Sequence, residues 1–182
     1  GATFLAQGAL FVHEIPYLVS VGFSRELAGL GVTLTTLTSV AGRFLFGWLA
    51  DRYDKRYLLA ISFALQFVGV LIYANISETW HIIPFVLTFG PAYGGAIPVR
   101  PAIQGEYYGL RAFGAIQGMM MAVTTLGSVA GPVFAGWIYD VMGSYRLAFI
   151  ILSVIILAVV PAILAAVPPK RVPQVRVATD LA

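Results

Sequence analysis

Long apolar runs separated by short polar connections cover almost the whole chain. They lie near residues 2–21, 27–50, 57–76, 80–100, 112–139 and 145–168, each with few charges. About 30 Å of hydrocarbon, at 1.5 Å per helical residue, calls for about 20 residues, so the pattern predicts six membrane-spanning helices. Barrel strands would be about half as long and would alternate apolar with polar positions. The fifth run is too long for one straight crossing and is expected to tilt or to project beyond the bilayer. The fourth contains "FGPAYGGAIPVRP", where Pro91, Gly94, Gly95 and Pro98 predict a bent or partly unwound helix.

Composition supports the same class. Of 182 residues, 59% are hydrophobic and 10% charged, against about 25% charged in a soluble domain. The expected fold is an all-α integral membrane protein. No cysteine is present, which excludes disulfide and thiolate chemistry. There is no phosphate loop, no zinc-ligand spacing and no nucleophile elbow. Neither an enzyme, a cofactor nor a metal is expected, and the net charge of +3 speaks to membrane orientation rather than to nucleic acid.

The basic residues are unevenly distributed. Arg52, Lys55 and Arg56 follow the second run, Arg100 and Arg111 flank the connection after the fourth, and Lys170, Arg171 and Arg176 follow the sixth. Only Arg25 and Arg146 lie at the other ends. Basic loops favour the cytoplasm, so the even-numbered runs are expected to end there, in a multi-pass protein of the cell membrane with a cytoplasmic C-terminus. The tail over 169–182 is basic and proline-broken and reads as disordered. The chain begins with Gly1 and reaches its first basic residue only at Arg25, so an upstream portion is expected.

One segment is written twice. "TTLTSVAGRFLFGWLAD" (35–51) returns as "TTLGSVAGPVFAGWIYD" (124–140), identical at ten of seventeen positions. The copies end the second and fifth runs, which cross in opposite senses. The chain therefore reads as a 3+3 inverted repeat, one half over about 1–76 and the other over about 80–168, within a domain of 1–168. Many secondary transporters are built this way. Gly127 with Gly131, Gly90 with Gly94 and Gly114 with Gly118 have the small-residue spacing of close helix packing.

Thr35, Ser39 and Arg43 share one helix face, and Thr124 and Ser128 repeat it, with Gln117 further toward the cytoplasm. Two such stripes suit the lining of a water-filled path. The alternative is that each hydroxyl bonds its own helix backbone. Arg43 lies roughly 12 Å from the cytoplasmic border and should face a cavity and an anion. Its partner is either Glu14 or the carboxylate of a substrate, which a planar five-donor guanidinium suits. Pro132 holds the equivalent slot in the second copy and exchanges a charge for a kink. His13 and Glu14, just ahead of Pro16, form a titratable pair suited to carrying protons, or else a hydrated outer boundary. Tyr73, Trp80 and Tyr93 are read as packing or interfacial residues, with a substrate-facing position as the alternative. Glu106 is expected to pair with Arg100 or Arg111.

"GWLADRYDKRYLL" (47–59) resembles the signature loop of the major facilitator superfamily, G-x-L-A-D-R-x-G-R-K-x-x-L. Gly47, Leu49, Ala50, Asp51, Arg52, Lys55, Arg56 and Leu59 match, while Asp54 replaces the usual glycine. Residues 13–24, 101–118 and 131–149 resemble other segments of the same superfamily, in the branch of monocarboxylate porters and oxalate/formate exchangers. The resemblance implies the C-terminal six-helix half of a twelve-helix carrier. Its partners would be membrane lipid, the missing half or a second copy, and a small organic anion moved with a proton or a counter-ion. By the same resemblance Arg43 meets the substrate carboxylate, and Gly47, Asp51, Arg52, Lys55 and Arg56 form a cytoplasmic gate. Two departures stand out: Ser39 occupies the position of the porters' aspartate, and the exchangers' lysine has no equivalent in the fifth run. A carrier of sugar, drug or peptide, with Arg43 paired to Glu14, is the first rival reading. A non-transporting scaffold or sensor with a dry apolar seam is the second.

Overall fold

The computed structural model describes residues 1–109 and 113–166. They form six helices: α1 Ala2–Ser20, α2 Arg25–Ala50, α3 Lys55–Ala74, α4 Ile82–Tyr108, α5 Phe113–Met142 and α6 Arg146–Ala165, with a 3-10 turn at Thr79–His81 ahead of α4. Local chemistry sets several ends. The Ser24 side chain accepts from the Leu27 amide and begins α2. Asp54 accepts from the Arg56 amide at 2.9 Å and begins α3. Gly109 and Gly143, with φ of 73° and 69°, follow the ends of α4 and α5 in the left-handed region open to glycine.

Five helices are long and apolar enough to cross a membrane, and α1 is not among them. Its polar side chains explain why. Thr3, Gln7 and Glu14 are buried inside the bundle rather than turned to lipid. Gln7 donates to Gln66 at 2.6 Å, Gln66 donates to Ser62 at 3.1 Å, and Ser62 donates to the Ala92 carbonyl at 2.6 Å. This buried chain of hydrogen bonds joins α1, α3 and α4. Polar side chains of this kind hold helices together in lipid, where apolar burial gives no preference for protein over acyl chains.

The fourth helix runs unbroken from Ile82 to Tyr108 through Pro91, Pro98 and Pro101, so of the two expectations, a bend or a partial unwinding, the unwinding is absent. Pro132 likewise lies inside the continuous α5. Each proline removes one amide donor, yet the flanking turns are kept by close packing against α2 and α1.

That packing is duplicated. A Cβ added to Gly94 on α4 would fall on the Ser39 carbonyl of α2, and one added to Gly8 on α1 would fall on the Ser128 carbonyl of α5. A Cβ on Gly42 would meet the Pro91 carbonyl, and one on Gly131 the Leu5 carbonyl. Ser39 and Gly42 correspond to Ser128 and Gly131 in the written repeat. Thus α2 on α4 is matched by α5 on α1, as a 3+3 inverted repeat requires. Two of the three small-residue pairs sit in these seams, but Gly114 and Gly118 have open space where a side chain would go.

The core is aromatic. Tyr73, Phe85, Phe89 and Phe149 are fully buried, and Tyr17 packs on Tyr73 and Phe149 with ring centroids 5.1 and 5.2 Å apart. Phe85, Phe89 and Tyr93 stack along one face of α4, at 5.5 and 5.9 Å. This stack ends at Tyr93, on the border of the cleft described next.

Candidate functional site

Arg43 lines an open cleft of about 280 Å³ with Phe11, Thr35, Thr36, Ser39 and Tyr93. Gly42 packs directly against α4, and the next residue, Arg43, is turned outward and exposed. Neither of the two ion pairs among the described residues involves it, so the pairing with Glu14 does not form. Among the described residues, the only formal charge lining this cleft is a guanidinium that makes no hydrogen bond to another side chain or carbonyl.

Of the two sequence readings of the hydroxyl stripe, bonding of each hydroxyl to its own helix backbone is the one the structure shows. Thr35 donates to the Gly31 carbonyl, Thr36 to Val32 and Ser39 to Thr36, at 2.7–2.9 Å. Thr124 donates to Met121 and Ser128 to Thr124. Each proton is committed to its own helix, as side chains with a backbone carbonyl in reach commonly are. The hydroxyls can still accept a hydrogen bond, but in this arrangement they do not donate to an anion. Tyr93 offers a phenol hydroxyl with no bond to another described residue, and its ring is held by Phe89 and by Phe11 at 4.9 Å. The regular spacing of Phe85, Phe89 and Tyr93 was the signal for this position, but a stack of aromatics reads as core until its last ring is seen at an opening.

Thr124 and Gln117 do not join Arg43. They line a second cleft of about 430 Å³ with Phe4, Tyr93, Ile97, Arg100, Gln104 and other residues. Tyr93 borders both spaces. Ser128 lines neither; its backbone is in the glycine seam with α1. Arg100, read from sequence as part of a polar connection, is instead within α4, with its guanidinium 4.4 Å from the Phe4 ring and 5.2 Å from the Phe63 ring.

His13 and Glu14 part ways despite adjacency. The His13 Nε2–H donates to the Pro132 carbonyl at 3.0 Å, tying α1 to the slot that Arg43 holds in the other repeat. Glu14 is 1% exposed, and neither carboxyl oxygen has a hydrogen-bond partner among the described residues. The Tyr73 hydroxyl bonds its backbone carbonyl at 2.5 Å. A hydrated boundary location is thereby excluded for Glu14. Tyr73 is core, and Trp80 is exposed.

At the proposed gate, Lys55 pairs with Glu106 at 3.2 Å, which replaces the expected Glu106 pairing with Arg100; Arg111 lies outside the described residues. Arg52 stacks on Trp48 at 3.9 Å. Arg56 pairs with Asp54 at 2.7 Å and donates to the Ala166 carbonyl at 3.2 Å, which links α3 to the end of α6. The Arg56 guanidinium holds the Asp54 carboxyl below its ordinary range. The acid that departs from the signature thus both caps α3 and clasps Arg56. Asp51 is exposed, and space is open beside Gly47. The tail over 169–182 lies outside the described residues.

Six helices in two related triplets, five of them long and apolar enough to cross a membrane, define the class of a multi-pass membrane protein. The profile of the Major Facilitator Superfamily matches residues 2–180, and the chain belongs to that family. It is similar to Monocarboxylate transporter 12 of Rattus norvegicus, 30% identical over 156 residues, which cover 81% of this chain and 32% of that protein. Monocarboxylate transporter 12 of Homo sapiens is 29% identical over 154 residues, 81% of this chain and 30% of that protein. Monocarboxylate transporter 11 of Homo sapiens is 27% identical, with 81% and 33% covered. The chain spans about a third of the length of these relatives.

Proposed function

We propose that this chain is the C-terminal half of a secondary carrier that moves a small, monocarboxylate-like organic anion by alternating access. A six-helix N-terminal half, or a second copy, completes the pathway against the face that carries Arg43. The observation that carries this reading is the Arg43 guanidinium, open to a cleft and joined to no carboxylate among the described residues. An arginine at membrane depth costs at least about 2.5 kcal/mol unless it finds an anion or water. A visiting carboxylate meets that need, with Tyr93 as a neighbouring donor. The names of the similar monocarboxylate transporters support the substrate class. Lys55, Arg56, Asp51 and Arg52 belong to a cytoplasmic gate that opens and closes as this half rocks. Glu14, buried and without a fixed hydrogen-bond partner, is the candidate proton carrier; His13 serves to fasten α1 to α5.

The test is flux of labelled monocarboxylates into liposomes holding the chain with its N-terminal half. Arg43→Gln is expected to cut uptake at least about thirtyfold, equal to about 2 kcal/mol for a charge-assisted hydrogen bond, with an unchanged folded yield. Uptake within threefold of the parent overturns the assignment. Restoration by adding Glu14→Gln supports internal pairing and the rival cargo instead.

A further inference from the structure

Arg100 lies outside the Arg43 cleft and outside the gate ion pairs. It lines the 430 Å³ cleft and also a neighbouring cleft of about 260 Å³, and no carboxylate among the described residues lines either space. Phe4 and Phe63 present ring faces to the guanidinium, and the remaining contact is a long one, 3.5 Å to the Thr3 hydroxyl. Aromatic faces orient a cation without neutralising it. Gln104, one turn further along α4, and Gln117, across the cleft on α5, both have carboxamide oxygens buried without a partner among the described residues. Each carboxamide also carries an N–H pair. A cation and two uncommitted carboxamides therefore converge on one space. Tyr93 connects this space to the Arg43 cleft, and Arg100 lies roughly 10 Å further along α4, toward the end of the bundle that carries Lys55 and Glu106.

We propose that Arg100, with Gln104 and Gln117, forms a second carboxylate-binding subsite, separate from Arg43. An anion leaving Arg43 passes Tyr93 and dwells at Arg100 before reaching the gate. The relay rests on the carrier reading; carboxylate binding at Arg100 does not. Two weak stations in series release an ion more readily than one strong one.

The absence of cysteine allows a direct test on the full chain in lipid nanodiscs. Met120→Cys places a single thiol beside the Arg100 clefts, and Thr36→Cys places one beside Arg43. Labelling rates are compared for anionic and cationic methanethiosulfonates, with and without benzoate. At position 120 the anionic reagent is expected to react about tenfold faster, the usual scale of charge steering in a cleft. Benzoate should slow labelling at least threefold. Arg100→Gln should remove both effects, Arg100→Lys should keep the charge preference, and Arg43→Gln should leave both effects within twofold. Gln117→Leu should weaken protection about fivefold with the charge preference unchanged, which tests the site even if Arg100→Gln does not fold. Protection that survives Arg100→Gln, or that Gln117→Leu leaves at the parent strength, overturns the proposal, as does its loss in Arg43→Gln. Protection at position 120 but not at position 36 upholds this subsite and defeats the role given to Arg43.

Discussion

The α2–α4 and α1–α5 seams are built alike and do different things. Both use glycines pressed onto a facing carbonyl: Gly94 on Ser39, Gly8 on Ser128, Gly42 on Pro91, Gly131 on Leu5. One residue beyond the shared glycine the two diverge. Arg43 turns into an open cleft, whereas Pro132 turns its carbonyl to His13. Residues that set the distance between helices are repeated because any added atom meets backbone. Residues beside them touch only cleft or a neighbouring side chain and are free to differ. The repeat thus preserves a frame, and the charge is placed on one copy of it.

Removing the frame should have the largest effect. Gly94→Val and Gly8→Val are each expected to cost about 3 kcal/mol or more, because the new carbons fall on main chain that cannot swing away. Folded yield and thermal unfolding in detergent would measure it. Gly118→Val, with open space around it, should change stability by less than about 1 kcal/mol. Equal losses at all three sites would end the claim that the seams are equivalent and special.

The differentiated slot comes next. Arg43→Gln is expected to weaken benzoate protection at Thr36→Cys by about thirtyfold, while Pro132→Ala leaves it within threefold. A comparable loss from both would mean that the two slots share one task. Tyr93→Phe should weaken the same protection about fivefold, the scale of one neutral hydrogen bond of about 1 kcal/mol. No change would restrict Tyr93 to packing.

The smallest effect is at the clasp between α3 and α6. Asp54→Ala removes a helix cap and should cost about 1 kcal/mol in unfolding. Because the folded carboxyl lies below its ordinary range, its contribution is complete above the unfolded Asp value of about 4. It is lost as the pH falls through the lower folded value. Parent and Asp54→Ala should therefore differ in stability at pH 6 and converge toward pH 2. A constant difference would mean that the cap, rather than the Asp54 charge, carries the effect.

Class, helix number and the doubled framework were all legible along the chain, because bilayer thickness dictates segment length and the written repeat survives as identical letters. Arg43 was legible too, since an intramembrane charge stands out in one dimension. The relation of α1 to α4 was not. Gly8 and Gly94 occupy matching places, but few other letters agree between those helices, and only their contacts with Ser128 and Ser39 reveal the correspondence. The site itself was decided in three dimensions. Sequence spacing put Thr35, Ser39, Thr124 and Ser128 on polar stripes, but local carbonyls claim every one of those protons. Tyr93 and Arg100 looked like packing and connection, and helix docking opened clefts beside them. Periodicity records which side chains share a helix face. Which donors remain uncommitted, and which face an opening, depends on distances between helices that no single segment contains.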